Sequence, residues 1–579
     1  MWWMRRRLRR SGKIKSEIHP DEIFVDSQNT QEFNRDQFEG RIEQPISRRV
    51  FLFFGGVLTL LFVGLFVRAG DLQLVRGVAY AQQAKNNQLS QKIIFADRGT
   101  LVDRTGVLLA YNVRLPAGQA GASLTDDFAS RVYADFHGLS HTIGYVQPPA
   151  KDSSGVYFRT VFLGIDGAER AFDALLGGQN GLKLSETDAR GKVISESVVQ
   201  PQEPGQKIVL SVDAAVTQGL YDALAVRAGS SKFQGGAGVI IDVKTGELLA
   251  LTSYPEYSQN ALESGDSATF KAFTNDSRRP FLNRATNGLY APGSIVKPVV
   301  AIAALTENII DPNKQLLSTG SISVPNPYDP AHPSVFRDWR AHGLVDMRHA
   351  IAVSSDVYFY EVGGGFPGQL GLGITNLDKY FKMFGFGQDA GLAGFSEAAG
   401  NIPTPTWKAS TFPDDPTWRL GDTYHTAIGQ YGMQVTPLQA ARAAAAIANG
   451  GLLLTPTLLA SLPTGQVGST PAGVPITIPQ SALQIVREGM RLGVVEGIAQ
   501  AVKFDFVHVA AKTGTAQVGV HNEYVNSWMI GFWPYEHPRY AYAVVLERGP
   551  SGTLVGSPAV MGSFFLWMQK NAPQYLTSF

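Results

Sequence analysis

An uncharged apolar run near the amino terminus divides the chain into two unequal parts. The run reads VFLFFGGVLTLLFVGLFV and covers Val50 to Val67. As a helix it is about long enough to cross a ~30 Å hydrocarbon layer, and none of its faces is polar. Arg48, Arg49 and Arg68 flank the run, as basic residues commonly flank a membrane span. The sequence therefore predicts one transmembrane helix over residues 50–68.

The charge around this run predicts its orientation. The chain opens with MWWMRRRLRRSGKIK, so most of the nearby basic residues precede the span. Basic flanks stay on the cytoplasmic side of a bilayer. We therefore expect residues 1–49 to be a cytoplasmic basic tail and the rest to lie outside the plasma membrane, which is the inner membrane where a cell has two.

The composition excludes several classes of protein. The formal net charge is +1 over 579 residues, whereas a nucleic-acid binder is usually strongly basic. The chain has no cysteine, which excludes thiol catalysis, disulfides and cysteine-ligated metals. Its length suits two or three domains, and 44% hydrophobic residues are sufficient for a large core.

Residues 69–215 read as a stalk followed by a strand-rich pedestal. Apolar and polar residues alternate over Gln91 to Asn112 around a turn at Asp103 to Gly106, which predicts a hairpin. A short Gly/Ala-rich loop covers Leu115 to Asp126, and short strands and turns follow over Leu182 to Asp213.

Residues 216–579 have a different pattern. Strand pairs are predicted around turns at Lys244–Gly246 and Tyr535–Pro538, near the two ends of this region. Between them helices are predicted over Val296–Asn308, Met347–Tyr360 and Thr436–Gly451. Strands at both ends with helices between them imply an α+β fold, in which one antiparallel sheet is built from distant segments and covered by helices.

A serine and a lysine stand at the start of the first of these helices. Pro298 is tolerated only in the first turn, so the helix should begin at or very near Ser294. Ser294 and Lys297 then share one face. A serine hydroxyl needs a base to become a nucleophile, and a partly desolvated lysine can be that base. A helix-capping serine with a surface lysine gives the same local pattern, so the pair alone does not decide.

Two further polar signatures lie downstream. SSD, at Ser354 to Asp356, interrupts an apolar helical stretch, where buried hydroxyls need partners. KTGT, at Lys512 to Thr515, lies in a strand-like run, where a glycine often marks close approach of another backbone.

The order S-x-x-K, S-x-N/D, K-T-G is the signature of penicillin-binding proteins and serine β-lactamases. The sequence resembles a class B penicillin-binding protein over nearly its whole length. RGTLVDRTGVLLA and LGIDGAERAFDALLGGQNG are similar to boxes of that class's pedestal. GDTYHTAIGQYGMQVTPLQAARAAAAIANGG is most similar to the elongation-type branch, penicillin-binding protein 2.

The resemblance implies peptidoglycan D,D-transpeptidation during lateral cell-wall elongation. Ser294 would attack the D-Ala–D-Ala carbonyl of a stem peptide, and Lys297 would take its proton. Ser354 would relay a proton to the leaving group, Asp356 would order the cleft and Lys512 would set its electric field.

The resemblance also implies how substrate is held. Thr513 and Thr515 would bind its terminal carboxylate, and Gly514 would let the strand come close. The N–H groups of Ser294 and Thr515 would form the oxyanion hole, and β-lactams would acylate the same serine.

No cofactor is expected. Some elongation-type relatives bind a metal through a cysteine, which this chain lacks, and Asp329, His332, Asp338 and His342 are a poor substitute, so no metal is expected either. The expected partners are stem peptides, membrane lipid and a membrane-embedded glycan polymerase, with no nucleic acid.

Two alternatives remain open at this point. The first is a membrane-anchored D,D-carboxypeptidase or β-lactamase, which needs a carboxylate-activated water beside the acyl-enzyme. The second is a penicillin-binding scaffold or sensor that signals through its tail.

Overall fold

The computed structural model describes residues 47–114, 128–187, 193–326, 329–460, 473–553 and 555–577. The predicted loop over Leu115 to Asp126 and nearly all of the predicted tail lie outside these residues. Contacts divide the chain into two units, Met1–Leu89 and Ser90–Phe579.

The first unit contains the predicted membrane helix. Helix α1 covers Arg48–Gly70, a short π-helical turn covers Asp71–Val75, and α2 covers Gly77–Gln88. The side chain of Ser47 caps α1 by accepting from the N–H of Val50. None of the residues of α1 is buried, and in the described part of the chain only the continuous stretch from Arg48 to Val75 is long and apolar enough to span a membrane.

The amino-terminal part of the second unit is built mainly of short strands. Its elements are β1 Leu89–Ile94, β2 Leu101–Val102, β3 Leu108–Val113, β4 Ser130–Tyr133, α3 Ser140–Ile143, β5 Val146–Gln147, β6 Ala150–Lys151, β7 Tyr157–Arg159, β8 Leu163–Gly164, α4 Gly167–Ala171, α5 Asp173–Leu176, β9 Gly181–Thr187, β10 Val193–Gln200 and β11 Ile208–Val209. The larger sheets have the strand orders β1-β9-β10 and β11-β2-β3-β4.

The predicted hairpin over residues 91–112 is only half correct. Strands β2 and β3 pair antiparallel around the turn at Asp103, but β1 pairs with β9 instead. The reason lies between β1 and β2, where the buried Arg98 forms an ion pair of 2.6 Å with Glu169. A buried guanidinium needs an anionic partner. The pairing of Arg98 with Glu169 therefore holds the segment between β1 and β2 away from the β2–β3 hairpin.

The carboxy-terminal part alternates helices with longer strands. Its elements are α6 Ala214–Ser231, β12 Gly235–Asp242, β13 Leu248–Tyr254, α7 Gln259–Glu263, α8 Ser267–Asn275, α9 Arg284–Asn287, α10 Lys297–Thr306, β14 Leu316–Ser318, β15 Ser321–Val324, β16 Ser334–Arg337, β17 Gly343–Val345, α11 Met347–Val353, α12 Asp356–Gly364, α13 Gly373–Met383, α14 Pro405–Thr411, α15 Leu420–Ala427, α16 Pro437–Ala448, β18 Leu452–Leu454, β19 Gly473–Pro475, α17 Gln480–Val495, β20 Ala510–Val518, β21 Tyr524–Trp533, β22 Tyr540–Pro550 and α18 Ser557–Asn571, with 3₁₀ turns at Gly293–Val296, Gln500–Val502 and Pro573–Tyr575.

One antiparallel sheet organises this part, with the strand order β13-β12-β22-β21-β20. It joins strands near residue 240 with strands beyond residue 510, which confirms the predicted α+β fold. Along β12, Val239 and Ile241 belong to one hydrophobic cluster and Ile240 to another, as the alternation of side chains in a strand requires. The sheet is therefore covered on both faces, and its edge strand β20 carries the KTGT signature.

Candidate active site

Ser294 lies at a tight turn that leads into a buried helix. The 3₁₀ turn Gly293–Val296 precedes α10, so the helix begins close to the predicted residue. Gly293 has a φ of +56°, and its N–H donates to the carbonyl of Gly429 at 2.9 Å. Only glycine adopts that φ without strain, so Gly293 allows the tight turn. The turn leaves the following residue, Ser294, half-buried at the surface of a cleft.

Lys297 is fully buried and donates to three oxygens. Its Nζ lies 2.8 Å from the carbonyl oxygen of Ser354, 3.2 Å from the Ser354 Oγ and 2.5 Å from the Oδ1 of Asp356. These are the hydrogen bonds that the Nζ of Lys297 makes in the described part of the chain, and none of them joins it to the hydroxyl of Ser294. The lysine therefore ties the serine helix to the SSD segment.

The SSD segment breaks the helix that the sequence predicts over Met347–Tyr360. Helix α11 ends at Val353 and α12 begins at Asp356, so the prediction of one continuous helix is wrong. Ser354 has a φ of +59°, and Ser355 caps α12 by accepting from the N–H of Tyr358. A non-glycine residue with this φ is strained, and such strain is often found at functional sites.

Lys512 approaches Ser354 from the sheet. Its Nζ lies 2.8 Å from the Ser354 Oγ and 2.8 Å from the carbonyl oxygen of Thr513. Burial, and then the charge of Lys297, hold the pKa of Lys512 well below its usual value, and Asp356 raises it only in part. The hydroxyl of Ser354 thus bridges two buried lysines whose charges repel each other.

Asp338, which the sequence analysis considered only as a possible metal ligand, supports the break between the helices. Its Oδ2 accepts from the Ser355 hydroxyl at 2.9 Å and from the N–H of Val357 at 3.0 Å. Burial alone would raise the pKa of Asp338, but these hydrogen bonds outweigh burial and lower it. Nothing in the FRDW stretch distinguishes this aspartate from an exposed one, so its position is visible only in the folded chain.

The four residues weighed as substitutes for a metal site form two separate pairs. The Nε2 of His342 lies 3.4 Å from Asp338, and the exposed His332 lies 2.8 Å from Asp329. In the described ranges no three His, Cys, Asp or Glu side chains are grouped as metal ligands would be.

Strand β20 forms one wall of the cleft. A Cβ on Gly514 would lie 2.8 Å from the carbonyl oxygen of Pro292, so this glycine lets the strand pack against the serine turn. The expected close approach is therefore present, although the approaching backbone belongs to the protein itself.

Six of the eight predicted site residues line a cavity of about 440 Å³ together with Trp339, which sequence reasoning missed; the six are Ser294, Ser354, Asp356, Thr513, Gly514 and Thr515. Lys297 and Lys512 lie buried and are joined to this set through Ser354. The site thus combines the accessible hydroxyl of Ser294, a buried hydrogen-bonded set in which Ser354 links the two lysines, and two threonines on the edge strand β20.

Two family models match the chain. The penicillin binding protein transpeptidase domain matches residues 236–561. The penicillin-binding protein dimerisation domain matches residues 120–210.

Individual proteins are similar over most of the chain. Peptidoglycan D,D-transpeptidase MrdA of Escherichia coli is 30% identical over 88% of this chain and 92% of its own length. The crystal structure of Pseudomonas aeruginosa PBP2 in complex with WCK 5153 has a TM-score of 0.67 and 30% identity, and covers 85% of this chain and 100% of that one. A structure on the coordination of polymerization and crosslinking by a peptidoglycan synthase complex has a TM-score of 0.69 and 26% identity, and covers 92% and 99% of the two chains.

Proposed function

The chain belongs to the penicillin-binding protein transpeptidases, and from that membership we propose how its own residues perform the reaction. It is a peptidoglycan D,D-transpeptidase of the elongation type, which cross-links stem peptides through a serine acyl-enzyme and is inhibited by β-lactams. The observation that carries our assignment of residues is the Ser354 hydroxyl, bonded to both lysines beside the cavity that Ser294 lines.

Acylation begins when the Oγ of Ser294 attacks the carbonyl carbon of the penultimate D-alanine. The new C–O bond forms, the peptide C–N bond breaks, and the terminal D-alanine leaves with a proton on its nitrogen. The N–H groups of Ser294 and Thr515 stabilise the oxyanion, a contribution worth about 3–4 kcal/mol for one well-placed donor.

The two lysines and Ser354 move the protons. In the Michaelis complex the Ser294 hydroxyl comes within hydrogen-bond reach of Lys297, a contact that is not among the hydrogen bonds of Lys297 in the described part of the chain. Lys297 then passes one of its own protons to Ser354 as it accepts the proton of Ser294, and Ser354 gives its hydroxyl proton to Lys512. The lowered pKa of Lys512 makes this step feasible, because Lys512 must be neutral beforehand to accept a proton. The proton then returns through Ser354 to the leaving nitrogen.

Substrate is held by the edge strand. The hydroxyls of Thr513 and Thr515 face the cavity and bind the terminal carboxylate of the stem peptide, with Lys512 behind them supplying positive potential when it is protonated. At Gly514 the backbone of β20 packs against the turn that carries Ser294. This contact fixes the distance between the carboxylate site and the nucleophile.

Transfer to an amine is favoured over hydrolysis. Class A β-lactamases deacylate through a water that a carboxylate activates. Of the described carboxylates that line the two cavities at Ser294, Asp356 is paired with Lys297 and Asp338 accepts from the main chain at Val357, which argues against that route. The amino group of a neighbouring stem therefore resolves the acyl-enzyme, which forms the cross-link and releases Ser294.

We propose that this chemistry takes place on the outer side of the plasma membrane. We propose that residues 1–49 are cytoplasmic and 50–68 span the plasma membrane, with a pedestal over 69–215 and a transpeptidase domain over 216–579. The basic leader supports this orientation. Membrane lipid would surround the span, and a membrane-embedded glycan polymerase is the proposed partner. The similarity of this chain to one in a peptidoglycan synthase complex that coordinates polymerization and crosslinking supports this partner.

The test is to label the purified full chain with fluorescent penicillin and map the modified peptide by mass spectrometry. We expect the label on Ser294, and we expect release of D-alanine and a cross-linked product from stem pentapeptide plus an amine acceptor. Ser294→Ala should abolish both, whereas Ser230→Ala, an exposed serine on α6, should change neither.

The contradicting results are equally specific. A label on another residue would remove the assignment of the nucleophile. Release of D-alanine without any cross-linked product, at saturating acceptor, would favour the carboxypeptidase alternative.

A further inference from the structure

The cavity at Ser294 continues along β20 into a longer groove. A second cavity of about 700 Å³ shares Ser294, Asp356 and Thr515 with the first. A third cavity of about 440 Å³ shares Gln430, Tyr431 and Gln517 with the second. The three cavities therefore form one path, which starts at the nucleophile, passes Gln517 on β20 and ends beside Arg548 on β22.

Two arginines stand at the far end of this path. Arg279 and Arg548 both line the third cavity and both are exposed. Within the part of the chain that the structure describes, neither guanidinium has a carboxylate within 4.0 Å. Glu547 lines the same cavity, but Arg284 already pairs with it at 2.7 Å. Arg548 lies over the ring of Tyr524 at 4.6 Å, so the end of the groove carries positive charge that has no ion-pair partner among the described residues.

Backbone strain is concentrated along the same path. Arg279, Tyr431 and Arg548 have φ values of +51°, +61° and +52°, and Asn522, on the second cavity, has +56°. Non-glycine residues in this conformation cost of order 1 kcal/mol or more each, so they persist only where the surroundings hold them. Together with the strained Ser354, most such residues among those described line this groove.

The groove suits an extended peptide. Strand β20 ends the five-stranded sheet, so its outer edge is free to pair with an added strand. From Thr515 to Val518 the strand advances about 10 Å at ~3.3 Å per residue. A peptide whose reacting carbonyl lies at Thr515 would thus place a residue about two or three positions upstream beside Gln517 and Val518, which line the third cavity together with the two arginines.

We propose that Arg548 and Arg279 bind a carboxylate of the stem peptide, carried about two residues before the reacting D-alanine. This rests on the proposed function, since it assumes that the stem peptide enters the cleft for acylation. A guanidinium is a planar fork that pairs with both oxygens of a carboxylate, which a lysine does less well. The site therefore selects donor stems that keep this carboxylate free over stems in which it is amidated.

The test compares two synthetic D-Ala–D-Ala peptides that differ only in a carboxylate or a carboxamide at that position. We expect kcat/KM for D-alanine release to be about three- to tenfold higher for the carboxylate peptide, the range of an exposed, charge-assisted pair. In Arg548→Gln that preference should fall to below about twofold, with Arg279→Gln losing part of it. Arg278→Gln, an adjacent arginine paired with Asp276 at 2.7 Å, should keep the preference.

Acylation by benzylpenicillin is the second readout, because this inhibitor has no upstream carboxylate to reach the arginines. Its rate should be the same in Arg548→Gln as in the unaltered chain. An equal loss with penicillin and with both peptides would show a general disturbance of the cleft, and would overturn the proposal. Equal rates for the two peptides in the unaltered chain would overturn it too.

Binding separates this inference from the proposed function. Calorimetry on the full chain with Ser294→Ala needs no turnover, and should give the same preference for the carboxylate peptide, lost on adding Arg548→Gln. If the peptides bind with this preference but no D-alanine is ever released, the proposed function fails while the carboxylate site stands. If D-alanine is released but neither chain discriminates, only the carboxylate site fails.

Discussion

Replacing Gly514 by alanine tests how closely β20 and the serine turn must pack. The new methyl group would lie 2.8 Å from the carbonyl oxygen of Pro292 and 2.9 Å from the Cγ2 of Ile295. To reach an ordinary contact of 3.4 Å the strand and the turn must separate by about 0.6 Å. Ile295 belongs to the 3₁₀ turn that carries Ser294 and Pro292 directly precedes that turn, so neither can move independently of it. The displacement is therefore transmitted to Ser294 and to Thr515.

The size of the effect follows from that displacement. A misplacement of about 1 Å costs about 10²-fold in rate, so 0.6 Å corresponds to roughly a tenfold to thirtyfold loss. Overpacking should also destabilise the fold by about 1–3 kcal/mol. The second-order rate of acylation by fluorescent penicillin measures the first effect, and thermal unfolding of the full chain in detergent measures the second.

Gly229→Ala is the matched control. Gly229 is an exposed residue of α6, and a Cβ there would meet no atom within 4 Å. Alanine in a helix interior is favoured over glycine by about 0.5–1 kcal/mol, so this variant should be slightly more stable and fully reactive. Acylation of Gly514→Ala at the rate of the unaltered chain would refute the packing argument.

Three further predictions concern Ser354 and Asp356 in the cleft and Asp103 in the turn between β2 and β3. Ser354→Ala and Ser354→Gly should both slow acylation about 10²- to 10⁴-fold, because proton transfer is lost; the glycine variant should melt at the higher temperature, because it relieves the φ of +59°. Asp356→Asn should shift the low-pH limb of the acylation profile to lower pH, because Asp356 raises the otherwise lowered pKa of Lys512, and Lys512 must be neutral. Asp103→Ala should lower stability by about 2 kcal/mol or more with little change in acylation, because this buried carboxylate accepts from the N–H groups of Val107 and Ala214.

Each of these has its own contradicting result. A glycine variant of residue 354 that melts below the alanine variant would show that the left-handed backbone is not strained. The pH limb should not move in Asp276→Asn, a partly buried carboxylate paired with Arg278. A shift to higher pH in Asp356→Asn would reverse the proposed electrostatics. Loss of acylation in folded Asp103→Ala would mean that the pedestal turn acts on the cleft directly.

The elements that sequence predicts best are those decided by local chemistry. Pro298 fixes the start of α10, the turn at Lys244–Gly246 joins β12 to β13, and the loop that contains Tyr535–Pro538 joins β21 to β22. The serine, lysine and threonine signatures could be named because their order resembles that of a known family; the S-x-x-K pair alone left a capping serine as the alternative.

The features that were missed depend on long-range contacts. Helical propensity is high on both sides of the SSD segment, which predicted one helix, but serine and aspartate favour helix caps, and Ser355 caps α12. At this break Lys297 and Lys512 each bond to an oxygen of Ser354. Asp338 lies close to the SSD segment only in the folded chain, because a hydrogen bond to Val357 holds it there. Burial of charge, which a single sequence does not display, accompanies both features.

The central claim is tested most directly by an experimental structure of the benzylpenicillin acyl-enzyme of the full chain. We expect an ester at the Oγ of Ser294, with its carbonyl oxygen about 2.7–3.1 Å from the nitrogens of both Ser294 and Thr515. We also expect the carboxylate of the bound inhibitor at the hydroxyls of Thr513 and Thr515. An ester on any other residue, or an ester oxygen pointing away from these two nitrogens, would contradict the account.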